Sequence, residues 1–242
     1  MTPPLNATAV VLQEPEKLAL SQLDLAAPGD GDIVVDMEVS GISTGTERLL
    51  WTGQMPHFPG MGYPLVPGYE ALGRVSQADG ESGLQVGDRV FVPGARCFGD
   101  VRGLFGGAAS RVVVPASRVV KVSDELGEGG VLLALAATAY HAVQAKDGKL
   151  PELIVGHGTL GRLLARVTLA LGGPAPTVWE TDPARREGAE GYTVVAPEDD
   201  GRRDYAAIYD VSGDAGLLDE LIGRLAFGGE VVLAGFYSDR PS

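Results

Sequence analysis

Six residues, Gly156-His157-Gly158-Thr159-Leu160-Gly161, constrain this chain more than any other segment because of what flanks them. Residues 152–156 form a short apolar run of strand type, and residues 162–171 carry apolar side chains at helical spacing. A second apolar run, 177–180, ends in an acid, Glu180, 24 positions after the first glycine (180 − 156). Strand, glycine turn, helix, strand and acid in that order make the layout of a dinucleotide site. Gly156 permits the tight turn, Gly158 lets backbone approach a pyrophosphate, and Gly161 lets the helix pack close to the strand. The helix opening at Thr159, Leu160 and Gly161 offers free N–H groups to the phosphates, and Glu180 can accept from a ribose 2′-hydroxyl.

At 242 residues the chain holds one large domain or two modest ones, and either can bury a core. A formal charge of −13 argues against nucleic acid or an anionic membrane as partner, since both call for a basic face. The single cysteine, Cys97, excludes an internal disulfide and a multi-cysteine zinc lobe. The sequence carries no apolar run of about 18 residues and no charged-then-apolar leader, so a cytoplasmic protein without a membrane span is expected.

The texture changes once along the chain. Residues 8–13, 18–23, 32–40, 70–76, 88–93 and 110–115 read as short strands punctuated by Gly, Pro and Asp, which makes 1–125 a β-rich domain. Residues 128–146 read as an apolar helix. After them strands and helices alternate through 152–156, 158–171, 177–180, 184–188, 193–195, 205–211, 215–225 and 229–235. Alternation of that kind builds a parallel sheet with helices on both faces, which assigns 126–242 to a nucleotide-binding domain.

Three further segments sharpen the expectation: Val66-Pro67-Gly68-Tyr69-Glu70 before a Gly-Arg-Val strand, Val86-Gly87-Asp88-Arg89-Val90, and Ala137-Thr138-Ala139-Tyr140-His141-Ala142. With the glycine loop they make the chain resemble the medium-chain dehydrogenase/reductase superfamily. That resemblance implies a GroES-like β-rich catalytic domain followed by a Rossmann doubly wound parallel sheet, in which Thr138, Val211 and the stretches 211–213 and 235–237 approach the nicotinamide. It also implies a homodimer as the family's ordinary assembly. In the family the catalytic domain is completed by chain returning after the nucleotide domain; this sequence stops at Ser242, so an incomplete Rossmann unit, truncated at its C-terminus, is expected.

Zinc-dependent relatives carry a Cys-Gly-Ile-Cys-Gly-Thr-Asp type motif, a Gly-His-Glu motif and a further Cys. Here Ser40-Gly41-Ile42-Ser43-Thr44-Gly45-Thr46-Glu47 puts the ligand cysteine at Ser43 or Thr44, Tyr69 replaces the histidine, and Ala134 falls at the other cysteine. Ser, Tyr and Ala cannot build the first shell of a Zn²⁺ site, so no metal is expected. Without a Lewis acid an alcohol proton must leave through side chains. Thr46 matches the family threonine that hydrogen-bonds the substrate oxygen, while Tyr69, Glu70 and Ser43 can bind or relay the proton. Ser43 and Thr46 can equally cap the next helix, and Tyr69 can equally be a core aromatic.

Of the three histidines, His157 is expected to face solvent or the phosphates, and His141 to be an interdomain packing residue, with a nicotinamide or substrate contact as its alternative. His57 lies in a loop with Trp51, Phe58 and Tyr63 that is rich in Met, Pro and aromatics. Such a loop can be a hydrophobic staple or one wall of a pocket for a flat apolar substrate. Residues 40–53 and 55–70 together resemble the zinc-free dehydrogenases of bacteriochlorophyll synthesis. That implies NAD⁺-dependent oxidation of a ring-attached 1-hydroxyethyl group of a chlorophyllide-type tetrapyrrole to acetyl. His57 would then be a candidate axial ligand to ring magnesium, and Arg48 or Arg96 a partner for a ring propionate. Glu180 favours NAD⁺, because a carboxylate repels a 2′-phosphate, although Arg185 and Arg186 stand nearby. Two other functions fit the same motifs: a zinc-free NADPH-dependent enone or quinone reductase, and a non-catalytic nucleotide-binding protein.

Overall fold

The computed structural model describes residues 4–80, 82–144 and 149–237. The chain forms two compact units, 1–134 and 135–242. In the first, a hairpin of β1 (Asn6–Glu14) and β2 (Lys17–Asp24) is followed by β3 (Asp32–Ser40) and a two-turn helix α1 (Thr46–Thr52). Then come β4 (Leu65–Val66), β5 (Ala71–Gln77), β6 (Arg89–Val92), β7 (Arg102–Gly103), β8 (Arg111–Pro115) and β9 (Val120–Lys121). They make two sheets, of order β2-β1-β4-β7 and β8-β3-β5-β6-β9. β-Branched runs such as Ile33-Val34-Val35 and Val112-Val113-Val114 fill the core, since such side chains pack well on a pleated surface. A smaller cluster of Leu12, Leu50, Leu65 and Leu104 lies beneath the loop after α1.

The second unit begins with α2 (Leu133–Gln144) and alternates thereafter: β10 (Leu153–Val155), α3 (Thr159–Ala170), β11 (Thr177–Trp179), β12 (Thr193–Val195), β13 (Tyr205–Asp210), α4 (Leu218–Ile222) and β14 (Leu225–Leu233). All four pairings are parallel, in the order β12-β11-β10-β13-β14. Alternation along β10 sends Ile154 to the face covered by Ala139 and Val143 of α2 and Leu164 and Ala165 of α3. Leu153 and Val155 go to the opposite face, against Leu221 of α4. This is the doubly wound arrangement expected, with its glycine loop at the C-terminal end of the central strand.

Two details differ from expectation. Between β11 and β12 there is no helix over 184–188, only a 3₁₀ turn at Pro183–Arg185. The backbone beyond it is held open instead, because the Arg162 guanidinium takes the carbonyls of Arg185 and Glu187 at 2.9 and 2.7 Å. The helix expected over 128–146 begins as a 3₁₀ stretch at Asp124–Leu132 and becomes α2, while residues 145–146 lie outside the described residues. Asp124–Gln144 is the one stretch among the described residues apolar and long enough, by length and composition, to cross a membrane. It is not one continuous helix, for Gly127 at φ 52° and ψ −146° breaks it.

Candidate functional site

The nucleotide-binding half is built on the second unit. After β10 the chain turns at Gly156, whose φ of +104° lies in the region that side chains rarely adopt. A β-carbon there would meet the backbone of Val211 and Ser212 at an ordinary 3.4 Å, so it is the backbone angle that calls for glycine, and Val211 N–H is bonded to the Val155 carbonyl at 3.0 Å. At Gly158, which caps α3, a β-carbon would have nothing within 4 Å, so open space faces the backbone. No side chain caps α3, and its first backbone bond runs from Arg162 N–H to the Gly158 carbonyl at 3.0 Å. The N–H groups of Thr159, Leu160 and Gly161 are thus the opening donors of a 12-residue helix aimed at that space. At Gly161 a β-carbon would lie 1.9 Å from the Gly156 carbonyl oxygen, so helix and turn meet only because this residue has no side chain. These features fit a dinucleotide pyrophosphate.

Glu180 follows β11 and is 8% exposed. Its Oε2 accepts the His157 N–H at 3.1 Å and its Oε1 the Asp182 N–H at 2.9 Å, leaving lone pairs on both oxygens for a ribose hydroxyl. Arg186 donates to the carbonyls of Glu180 and Thr181 at 2.8 and 3.1 Å, and Arg185 pairs with Asp182 at 3.6 Å.

His157 corrects the expectation of a residue facing solvent or phosphate, since it is 1% exposed. Its Nδ1 lies 2.6 Å from the Arg185 carbonyl, which can only accept, so Nδ1 carries the proton. Nε2 therefore accepts from the Tyr192 hydroxyl at 2.7 Å. Burial lowers the proton affinity of the ring. Tyr192 and Arg162, which bonds the His157 carbonyl at 3.2 Å, were invisible as partners in the sequence because they sit 35 and 5 positions away in no motif. Thr138 and His141 are exposed on α2, and the Tyr237 hydroxyl donates to the Asp210 carbonyl at 2.7 Å.

A second cluster is built on the first unit. Ser43 Oγ accepts the N–H groups of Gly45 and Thr46 at 3.3 and 3.1 Å, while Glu47 Oε2 accepts the Ser43 N–H at 3.0 Å. This reciprocal exchange ties the loop before α1 to its first turn, although the N-cap itself is Gly45 and has no side-chain cap. The side chains of Ser43 and Thr46 lie near the Tyr69 hydroxyl, and that of Ser43 near the Glu47 carboxylate. The Tyr69 ring meets Phe105 edge-on at 5.9 Å. Burial raises the proton affinity of Tyr69 and of Glu47.

Glu70 is 4% exposed, and its Oε1 has no hydrogen-bond partner among the described residues. Its carbonyl accepts the Gly41 N–H at 2.6 Å, and a β-carbon on Gly41 would stand 2.6 Å from Oε2, so the glycine admits the carboxylate. Burial, then the neighbouring Glu47 charge, push Glu70 above the usual carboxylate range. Structure thus brings Ser43, Thr46, Tyr69 and Glu70 together and adds Glu47, an acid in the first turn of α1 that the sequence reading passed over.

In the loop after α1, Phe58 and Tyr63 pack with Met55 and Met61 on the leucine cluster, and the Tyr63 hydroxyl donates to the Leu50 carbonyl. Trp51 and His57 are exposed, as are Arg48 and Arg96. The donors around Ser43 and Tyr69 are hydroxyls and carboxylates, with no thiolate and no imidazole, and they do not fit a catalytic zinc.

Residues 29–124 match the alcohol dehydrogenase GroES-like domain. The chain is 60% identical over 235 residues to the 2-desacetyl-2-hydroxyethyl bacteriochlorophyllide A dehydrogenase of Rhodobacter capsulatus, covering 97% of this chain and 75% of that protein. It is 58% identical over 240 residues to the protein of the same name from Cereibacter sphaeroides, covering 97% of this chain and 76% of that one. Among solved structures, the acetophenone reductase of Geotrichum candidum in complex with NAD superposes with a TM-score of 0.78 at 21% identity, over 99% of this chain and 78% of that one.

Proposed function

This chain belongs to the family of the 2-desacetyl-2-hydroxyethyl bacteriochlorophyllide A dehydrogenases, within the medium-chain dehydrogenases, and we propose that it oxidises the 1-hydroxyethyl group of a bacteriochlorophyllide to acetyl with NAD⁺. The observation that carries the proposal is 58–60% identity across nearly the whole chain. Bound along the glycine loop, the dinucleotide supplies a hydride acceptor. Gly156, Gly158, Gly161 and the N–H groups of Thr159 and Leu160 hold its phosphates, Glu180 its ribose, and Thr138 and Val211 lie toward the nicotinamide. Two facts support NAD⁺ over NADP⁺: Glu180 carries the negative charge, and Arg186 and Arg185 are already engaged by carbonyls and Asp182.

The remaining chemistry is removal of the alcohol proton. Thr46 bonds the substrate oxygen and starts the transfer, with Ser43, Tyr69 and Glu70 behind it and no zinc. Trp51 and His57 present one wall to the macrocycle, and Phe58 and Tyr63 pin the loop that carries them. Two chains associate as a homodimer.

Incubating the protein with hydroxyethyl bacteriochlorophyllide and either dinucleotide tests this. NADH and an acetyl product are expected with NAD⁺, unaffected by a zinc chelator. Preference for NADPH with an enone or quinone favours the reductase, and cofactor binding with no turnover on any of these favours a non-catalytic protein.

A further inference from the structure

A single imidazole grips the segment that joins β11 to β12 at two separate points. Nδ1 of His157 donates to the Arg185 carbonyl at 2.6 Å, and Nε2 accepts from the Tyr192 hydroxyl at 2.7 Å, directly before β12 begins. The His157 and Tyr192 rings also meet edge-on, with centroids 5.5 Å apart. The main chain of His157 is engaged as well: its N–H donates to Glu180 Oε2 at 3.1 Å, and its carbonyl accepts from Arg162 at 3.2 Å. Every polar atom of the residue is therefore used, at 1% exposure. Such a network specifies one arrangement of the chain around it, because any other leaves a buried donor or acceptor unpaired.

Two arginines ride on the segment so held. Arg185 lies 3.6 Å from Asp182, and Arg186 donates to the carbonyls of Glu180 and Thr181 at 2.8 and 3.1 Å. A guanidinium near the acid of a dinucleotide site is what accommodates a ribose 2′-phosphate. Here both arginines are engaged within their own turn. The Arg185 side chain is 65% exposed, so its ion pair with Asp182 is too weak to fix it. Its backbone is fixed instead, since the His157 ring and Arg162 share the Arg185 carbonyl at 2.6 and 2.9 Å.

We propose that His157 sets the choice of dinucleotide: with Tyr192 it clamps the segment after Glu180, so that Arg185 and Arg186 are withheld from a 2′-phosphate. The inference rests on the dinucleotide site proposed above and adds a residue to it. Glu180 repels a 2′-phosphate by its charge, and His157 keeps the neighbouring positive charge from cancelling that repulsion. His157 does this through other residues, which makes it a positioning residue.

Equilibrium titration of NAD⁺ and NADP⁺ against the parent, His157→Ala, Tyr192→Phe and Leu221→Ala tests the proposal. Tyr192→Phe keeps the aromatic ring and deletes only the hydroxyl bonded to Nε2, so the clamp can be tested where His157→Ala does not fold. Leu221→Ala loosens the core on the opposite face of the sheet and is the control for general destabilisation. The ratio of the Kd for NADP⁺ to that for NAD⁺ should fall roughly 5-fold in Tyr192→Phe, the scale of one hydrogen bond, and further in His157→Ala. In Leu221→Ala it should keep the parent's value. A ratio unchanged in Tyr192→Phe and His157→Ala, or one that falls as far in Leu221→Ala, overturns the proposal and leaves the parent's NAD⁺ preference standing. A parent that binds neither dinucleotide, or both alike, overturns the reading of Glu180 and this proposal together.

Discussion

The backbone N–H of His157 donates to Glu180 Oε2 at 3.1 Å, so the acid that ends the second strand also fastens the first turn of the glycine loop. One carboxylate thereby ties the end of the second strand to the glycine loop, and with it the proposed ribose position to the proposed phosphate site.

Replacing Glu180 with Ala should therefore act in two ways. The lost charge-assisted bond to ribose weakens NAD⁺ binding by about 1–3 kcal/mol and narrows the preference over NADP⁺. Isothermal titration with both dinucleotides measures this. Equal affinity of the parent for NAD⁺ and NADP⁺ contradicts the role given to Glu180.

Gly161→Ala puts a methyl group 1.9 Å from the Gly156 carbonyl, and backbone cannot yield as a flexible side chain can. Helix and turn must separate, at a strain of about 1–3 kcal/mol, and NAD⁺ affinity should fall with it. Gly158→Ala meets no protein atom within 4 Å, so it should leave the fold's thermal stability unchanged and impair only the approach of the pyrophosphate. Similar melting temperatures for the two variants would refute this division.

His157 predicts a pH dependence. Its ring is buried neutral, with proton affinity below the ordinary value of 6.5. The unfolded chain binds the extra proton more readily, so stability is full above pH 6.5 and declines as pH falls below it. Thermal melts of the parent should show that decline, and His157→Gln should show less of it while being less stable at neutral pH. A parallel decline in both proteins excludes His157 as its source.

Thr46→Val conserves volume and deletes the hydroxyl. Loss of the first proton-transfer group should lower kcat roughly 10²-fold or more with NAD⁺ affinity almost unmoved. Unchanged turnover would move the proton path to Ser43 or Tyr69.

Sequence carried the nucleotide fold well, since Gly156, Gly158, Gly161 and Glu180 act through backbone shape and short-range order, which a linear pattern records. It carried the six longer strands of the first unit for the same reason, but not β4, β7 and β9, two-residue strands too short to leave an alternating pattern. His157 was misjudged because its burial depends on Tyr192 and the Arg185 carbonyl, brought to it by the fold of the turn between β11 and β12. Glu47 was passed over because an acid in the first turn of a helix is common, and only the bond it accepts from the Ser43 N–H sets it apart. The missing helix over 184–188 follows from Arg162, whose guanidinium satisfies carbonyls that would otherwise need a helix.

Hydride transfer itself is the most direct measurement. Hydroxyethyl bacteriochlorophyllide carrying deuterium on the carbinol carbon is incubated with the protein and NAD⁺, and both products are weighed by mass spectrometry. Deuterium on the nicotinamide ring, in amount equal to the acetyl product, is the expected result. Acetyl product with no deuterium in the dinucleotide, or no product at all, contradicts the assignment of this chain as an NAD⁺-dependent bacteriochlorophyllide dehydrogenase.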